Sequence, residues 1–270
     1  MTTTALSHRA SRARGGYSFR TVAAMEWRKL RTVRSTRYIL AFFTASMIGV
    51  AILALSHEGY AQMSAASRAS FDPAHDSLII GLVLGQLLTG TLGVLTITTE
   101  FASGMIRATF AAVPRRPLVL AAKAAVLGAV TLAVGEITAF LAFFAGQAAL
   151  QAPAPHATLG ESGVLRAVLV AGAYPALIAL IGLGIGAVIR HTAGTICVLV
   201  GLLFVLPLLF ITPSLQNASQ NFLPHPMVNV LTSVTPVPGT LPRGVIFALL
   251  CGYAAATLVA GAWALTRRDA

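Results

Sequence analysis

The sequence predicts an all-α integral membrane protein with six transmembrane helices. Of its 270 residues, 56% are hydrophobic and only 10% charged, and the mean hydropathy is +0.80, whereas an ordinary soluble domain is about a quarter charged. Six apolar runs are long enough to cross a bilayer: Tyr38–Leu55, Leu78–Thr99, Leu118–Ala148, Val164–Ile189, Gly194–Thr212 and Gly244–Leu265. None alternates with a period of two, so each reads as a helix and not as a barrel strand. One membrane domain, residues 21–270, follows a Ser- and Arg-rich tail, residues 1–20, expected to be disordered and cytoplasmic.

The segment TVAAMEWRKLRTVRSTR (Thr21–Arg37) precedes the first run. At about 100° per residue, Val22, Trp27, Leu30 and Val33 fall broadly on one helical face, with Arg28 and Arg31 opposite. That pattern fits a helix in the headgroup region with Trp27 at the interface, or a basic flank that sets topology. Within the second run, Gly81, Gly85, Thr89 and Gly93 recur at four-residue steps, and Gly182 and Gly186 do so in the fourth. Such stripes let helices approach closely, within one chain or between copies.

Between the second and third runs lies EFASGMIRATFAAV, where Phe101, Met105, Ile106, Phe110 and Val113 form an apolar stripe. A single helix is expected over Glu100–Val113. Thr98 or Thr99 would cap it, Glu100 would meet its positive end, and Pro114 would stop it with Arg115 and Arg116 at its negative end. A simple connection needs only about two to eight residues, so this one is expected to contact the lipid surface or a soluble partner. The connection Pro213–Arg243 has six prolines among apolar pieces too short to span, including Met227, Val228, Val230 and Leu231. It reads as a re-entrant or interfacial segment packed back onto the outer mouth of the bundle.

Six spans place both termini on one side, and sixteen of the 19 Lys and Arg residues flank the runs on that side, leaving Arg68, Arg166 and Arg243 on the other. The termini are therefore expected in the cytoplasm. These basic residues sit beside apolar runs and form no isolated patch with interleaved aromatics, which argues against nucleic acid. No Gly-Lys pair exists to build a phosphate-binding loop, so no ATPase activity is expected of this chain. HEGYA (His57–Ala61) lacks the second histidine of a zinc-protease helix and reads as a loop, the external histidines His57, His75, His156 and His225 lack ligand spacing, and Cys197 and Cys251 lie inside apolar runs; no metal site is expected. Glu136 is the one acid deep in a run, with Gln86 and Gln147 as candidate partners. An intramembrane carboxylate costs on the order of 3 kcal/mol on insertion scales, so Glu136 should face protein or water, as a helix tie or as a proton- or substrate-binding group.

Two separated motifs, EWRKLRTVRSTRYIL (Glu26–Leu40) and TEFASGMIRATFAAVPRRPLVLAAKA (Thr99–Ala124), resemble the membrane subunits of type-2 ATP-binding-cassette (ABC) exporters, particularly actinobacterial ones. The six-run layout and the long fifth connection extend the resemblance over nearly the whole chain. It implies a multi-pass permease subunit of the bacterial cytoplasmic membrane. This would pair with a second permease subunit, in a homo- or heterodimer, and export a hydrophobic or amphipathic solute. ATP and Mg would be held by a separate ABC ATPase subunit, and this chain would bind no cofactor. Thr21–Arg37, with Glu26, Trp27, Arg28, Lys29, Leu30 and Arg31, would be the elbow helix. Glu100–Val113 would be the coupling helix, meeting the ATPase through Glu100, Phe101, Met105, Ile106, Arg107 and Phe110. Pro213–Arg243 would cap the external end. Two other readings stand beside this one: a proton-coupled secondary transporter using Glu136, and a non-transporting accessory or immunity protein of the membrane.

Overall fold

Every regular element in the computed structural model is helical among the described residues, which are 18–56, 63–152, 154–210 and 212–267. Most of the expected tail and the His57–Ala61 loop lie outside them. The helices are α1 (Phe19–Thr32), α2 (Arg34–Ala54), the single-turn α3 (Ala65–Ala69), α4 (Pro73–Ala102), α5 (Met105–Ala112), α6 (Arg116–Ala149), α7 (Val164–Ile189), α8 (Thr192–Leu208), α9 (Pro213–Phe222), α10 (Pro224–Thr232) and α11 (Arg243–Arg267). Five of them, α2, α4, α6, α7 and α11, are long and apolar enough to cross a membrane. This is a multi-pass membrane protein.

The centre of the bundle is α7, with α4 next in burial, while α2 and α11 are the least covered. The small-residue stripes of α4 and α7 are seams within the chain. Any side chain at Gly93 would collide with the Ala179 carbonyl, and one at Gly182 with the Gly90 carbonyl, so α4 and α7 touch backbone to backbone. Higher up, Gly81 and Gly85 receive Met47 and Phe43 of α2.

Hydrogen bonds fix the ends of the bundle. Arg116, opening α6, donates to the Leu265 carbonyl at 2.8 Å, and Arg190, closing α7, donates to the Ala264 carbonyl at 3.0 Å. The last turn of α11 thus lies at the same end as α1, which is tied to α6 through Glu26 and Lys123. This is the basic end of the bundle. At the opposite end, Arg166 of α7 donates to the carbonyls of Leu231 and Ser233, and Arg243 of α11 to those of Val234 and Thr235. Cations at these carbonyls offset the negative end of α10. Asp72 caps α4 through the His75 amide at 3.0 Å and also accepts from the Val234 amide at 2.8 Å, so that α10 is stitched to the mouth of the bundle.

Three expected elements differ. The run Gly194–Thr212 is not one long helix: α8 ends at Leu208 and contains a π-helical turn at Gly201–Val205. Pro207 explains it, since its ring lacks an N–H and would strike the carbonyl four residues back, and the wider turn relieves both problems. Thr21–Arg37 is broken at Val33, which is extended (φ −72°, ψ 119°). The Thr32 hydroxyl donates to the Arg28 and Lys29 carbonyls and closes α1. Glu100–Val113 is broken at Gly104, which adopts φ +71°. Glycine enters this left-handed region without strain, so α4 runs on to Ala102 and α5 is only two turns long. Thr98 and Thr99 do not cap a helix there, because their hydroxyls donate back to Val94 and Leu95 within α4.

Candidate functional site

The densest chemistry lies at the basic end, where α1, α4, α5 and α6 converge on four charged side chains. Glu26 lies on the inner face of α1 with Val22 and Leu30, spaced four residues apart. Trp27 is outside this stripe and exposed, as are Arg28, Arg31 and Val33. The expected apolar face of the helix is therefore rotated, and it turns a carboxylate inward. What makes that tolerable is Lys123 of α6, 2% exposed, whose ammonium reaches Glu26 Oε2 at 2.5 Å and Glu100 Oε1 at 2.9 Å. Lys29 completes the group, reaching Glu26 Oε1 at 2.8 Å and Glu100 Oε1 at 3.0 Å, with the Thr109 hydroxyl of α5 at 3.4 Å.

Two carboxylates and two ammoniums are thus interleaved in a site where only Lys29 is partly exposed. Burial alone would raise the Glu26 carboxyl, but Lys123 and then Lys29 hold it below its ordinary value. Burial alone would lower the Lys29 ammonium, and Glu26 and Glu100 together hold it above its ordinary value. Removing one member of such a cluster strands its neighbours, at about 3–5 kcal/mol. The cluster makes α1, α4, α5 and α6 one mechanical unit.

Helix α5 projects from this unit with two unlike sides. Ile106, Phe110 and Val113 are buried, and the Arg116 guanidinium lies over the Phe110 ring, 5.4 Å from its centre. Met105, Arg107, Ala108, Ala111 and Ala112 face outward, Met105 with 47% exposure. Of the six residues assigned to an ATPase contact, Met105 and Arg107 are displayed on the outer side. Glu100 is 3% exposed within α4, Phe101 is half-buried with Arg190 over its ring at 5.1 Å, and Ile106 and Phe110 hold α5 to the bundle. The apolar stripe therefore anchors the helix, and its small-residue side is the one presented.

Lys123 and Thr109 are the members that motif reading passes over. One signal was present: Lys29 and Lys123 are the only lysines among 19 basic residues, and both are in this cluster.

The intramembrane polar residues do not meet one another. Gln86 accepts from the Tyr174 hydroxyl at 2.5 Å and is 2.8 Å from Nδ1 of His225 on α10. Gln147 donates to the Pro73 carbonyl and Ser77 hydroxyl and accepts from the Ala157 amide. Neither touches Glu136. The Glu136 carboxylate lies against Gly172 of α7, where a side chain would collide with it, and its buried Oε2 has no hydrogen-bond partner among the described residues. No group of three or more His, Cys, Asp or Glu side chains able to hold a metal occurs among the described residues.

No protein-family model matches the chain, and no curated protein matches it.

Proposed function

We propose that this chain is the permease half of an ABC exporter, moving a hydrophobic or amphipathic solute out of the cytoplasm with a separate ATPase subunit supplying the energy. The observation that carries this reading is the build of α5, a short helix displayed at the end of the bundle with its inner side tied to α1 through Thr109–Lys29 and to α6 through Phe110–Arg116. A displacement of such a helix cannot be absorbed locally and is passed to the spans. In this reading α8 is the sixth pass, both termini are cytoplasmic, α1 is the elbow helix, and α9 and α10 cap the external face. A second permease subunit covers the sparsely buried α2 and α11.

The test is purification of the tagged protein in mild detergent from its native membranes, with mass spectrometry of the accompanying subunits. A soluble protein bearing a phosphate-binding loop should copurify, and should be lost on Met105→Asp with Arg107→Glu while the permease stays folded. Absence of any ATPase after gentle cross-linking refutes the reading.

Glu136 Oε2, which has no hydrogen-bond partner among the described residues, favours a second reading, a proton-coupled transporter. Uptake or efflux in sealed vesicles that persists without ATP, follows an imposed pH gradient and disappears in Glu136→Gln would establish it.

A further inference from the structure

A cavity of about 280 Å³ opens beside the charged cluster, close to the lower end of the range for small-ligand sites, about 300–1,000 Å³. Its floor is Glu26, Lys29, Glu100 and Lys123, and its walls include Leu30 and Val33 at the α1–α2 break and Leu92 and Leu95 of α4. The floor is asymmetric in a specific way. Both ammoniums reach Glu100 through the same oxygen, Oε1. Oε2 of this carboxylate, in a residue 3% exposed, has no hydrogen-bond partner among the described residues. A buried carboxylate oxygen left bare is costly and calls for a donor.

We infer that this cavity binds the headgroup of an amphiphile carrying a primary ammonium, its N–H groups meeting Glu100 Oε2 and its tail leaving along the leucine-lined wall. A primary ammonium supplies N–H donors that a quaternary one lacks. Apolar walls and a charged floor match a molecule that is itself split between tail and head. The first turn of α2 has no side-chain cap, and Ser35 and Thr36 of that turn line the cavity. The amides of this uncapped turn therefore suit an acceptor on the same headgroup, such as a phosphate. The ammonium chemistry has two sources, an ethanolamine lipid of the bilayer or a soluble cationic amphiphile. The inference does not depend on how transport is powered.

The test uses the full chain in mild detergent, titrated with phosphatidylethanolamine or phosphatidylcholine of identical acyl chains and read by native mass spectrometry. The ethanolamine lipid should be retained at least about tenfold more strongly. Thr96→Trp, which fills the cavity from α4 without touching a charged group, should abolish the difference, as should Glu100→Gln. A Thr96→Trp protein that elutes and melts like the parent guards against misfolding. Displacement of the bound lipid by dodecylamine would show that soluble amphiphiles share the site; failure to displace it restricts the site to lipid. Equal retention of the two lipids, or a preference that survives in Thr96→Trp, overturns the inference and leaves water as the occupant.

Discussion

Lys123→Met replaces a 2%-exposed ammonium by a thioether of similar length, and its cost follows from what it strands. Glu26 Oε2 loses its contact at 2.5 Å and Glu100 Oε1 loses one of its two cations, leaving two buried carboxylates to share Lys29. Breaking one partner of a buried pair costs about 3–5 kcal/mol. The cluster helps dock α1 alongside the buried Val22 and Leu30, so the loss should appear as release of that helix before the bundle itself unfolds. A loss of ~3 kcal/mol raises the released fraction about a hundredfold. Trypsin cleavage at Arg28 and Arg31, in detergent and under conditions where opening is fast relative to cutting, reads that fraction directly. Adding Glu26→Gln removes the stranded charge and should recover about 1–3 kcal/mol, a coupling expected only of groups in contact. If Lys123→Met is cut no faster than the parent, or if the two substitutions simply add, the cluster does not hold α1.

The same geometry makes other outcomes checkable. Phe110→Ala should lower stability by roughly 3 kcal/mol, whereas Arg107→Glu on the outer side should leave the melting temperature unchanged and weaken only partner association. In a Trp263→Phe background, Trp27 emission should report docked α1 across the middle of the pH range. The depressed Glu26 contributes docking stability above its ordinary value of 4.5 and loses it as pH falls through its folded value; the raised Lys29 contributes below 10.5 and loses it as pH rises through its own. Gly93→Val should cost about 3 kcal/mol by forcing α4 off the Ala179 carbonyl, seen as loss of monodisperse protein. Gln86→Leu should cost about 1–3 kcal/mol by stranding Tyr174 and His225, with hydrogen exchange rising in α10.

The long helices are legible in the sequence because lipid leaves the backbone few other options, and the apolar runs read out their approximate positions. The interruptions are less legible. Gly104 lies inside an unbroken helical periodicity, and only its positive φ shows that one amphipathic segment is two helices. Pro207 was visible, but a proline in an apolar run does not say whether the helix bends, ends or widens into a π turn. Among the residues to which the resemblance gives a role, Arg107 is displayed as periodicity expects, while Glu100 and Glu26 are hidden because each has a cation delivered from elsewhere in the chain. Such pairing joins residues 23 and 97 positions apart, a separation at which local pattern carries no signal.

Helix α11 is tethered at both extremities while its outer face is bare. At one extremity its own Arg243 grips the carbonyls of Val234 and Thr235; at the other, the carbonyls of Ala264 and Leu265 are gripped by Arg190 and Arg116. It can neither slide by a turn nor swing out without breaking several of these bonds at once, and between them Gly184 of α7 sits against the Thr257 backbone and Gly261 against Ala187. Its 25 residues form a strut of ~37 Å. Arg116, at the foot of this strut, also lies over Phe110 of α5. In the proposed exporter, a push on α5 would reach the far mouth of the bundle through Arg116 and α11 as well as through the α4–α7 seam.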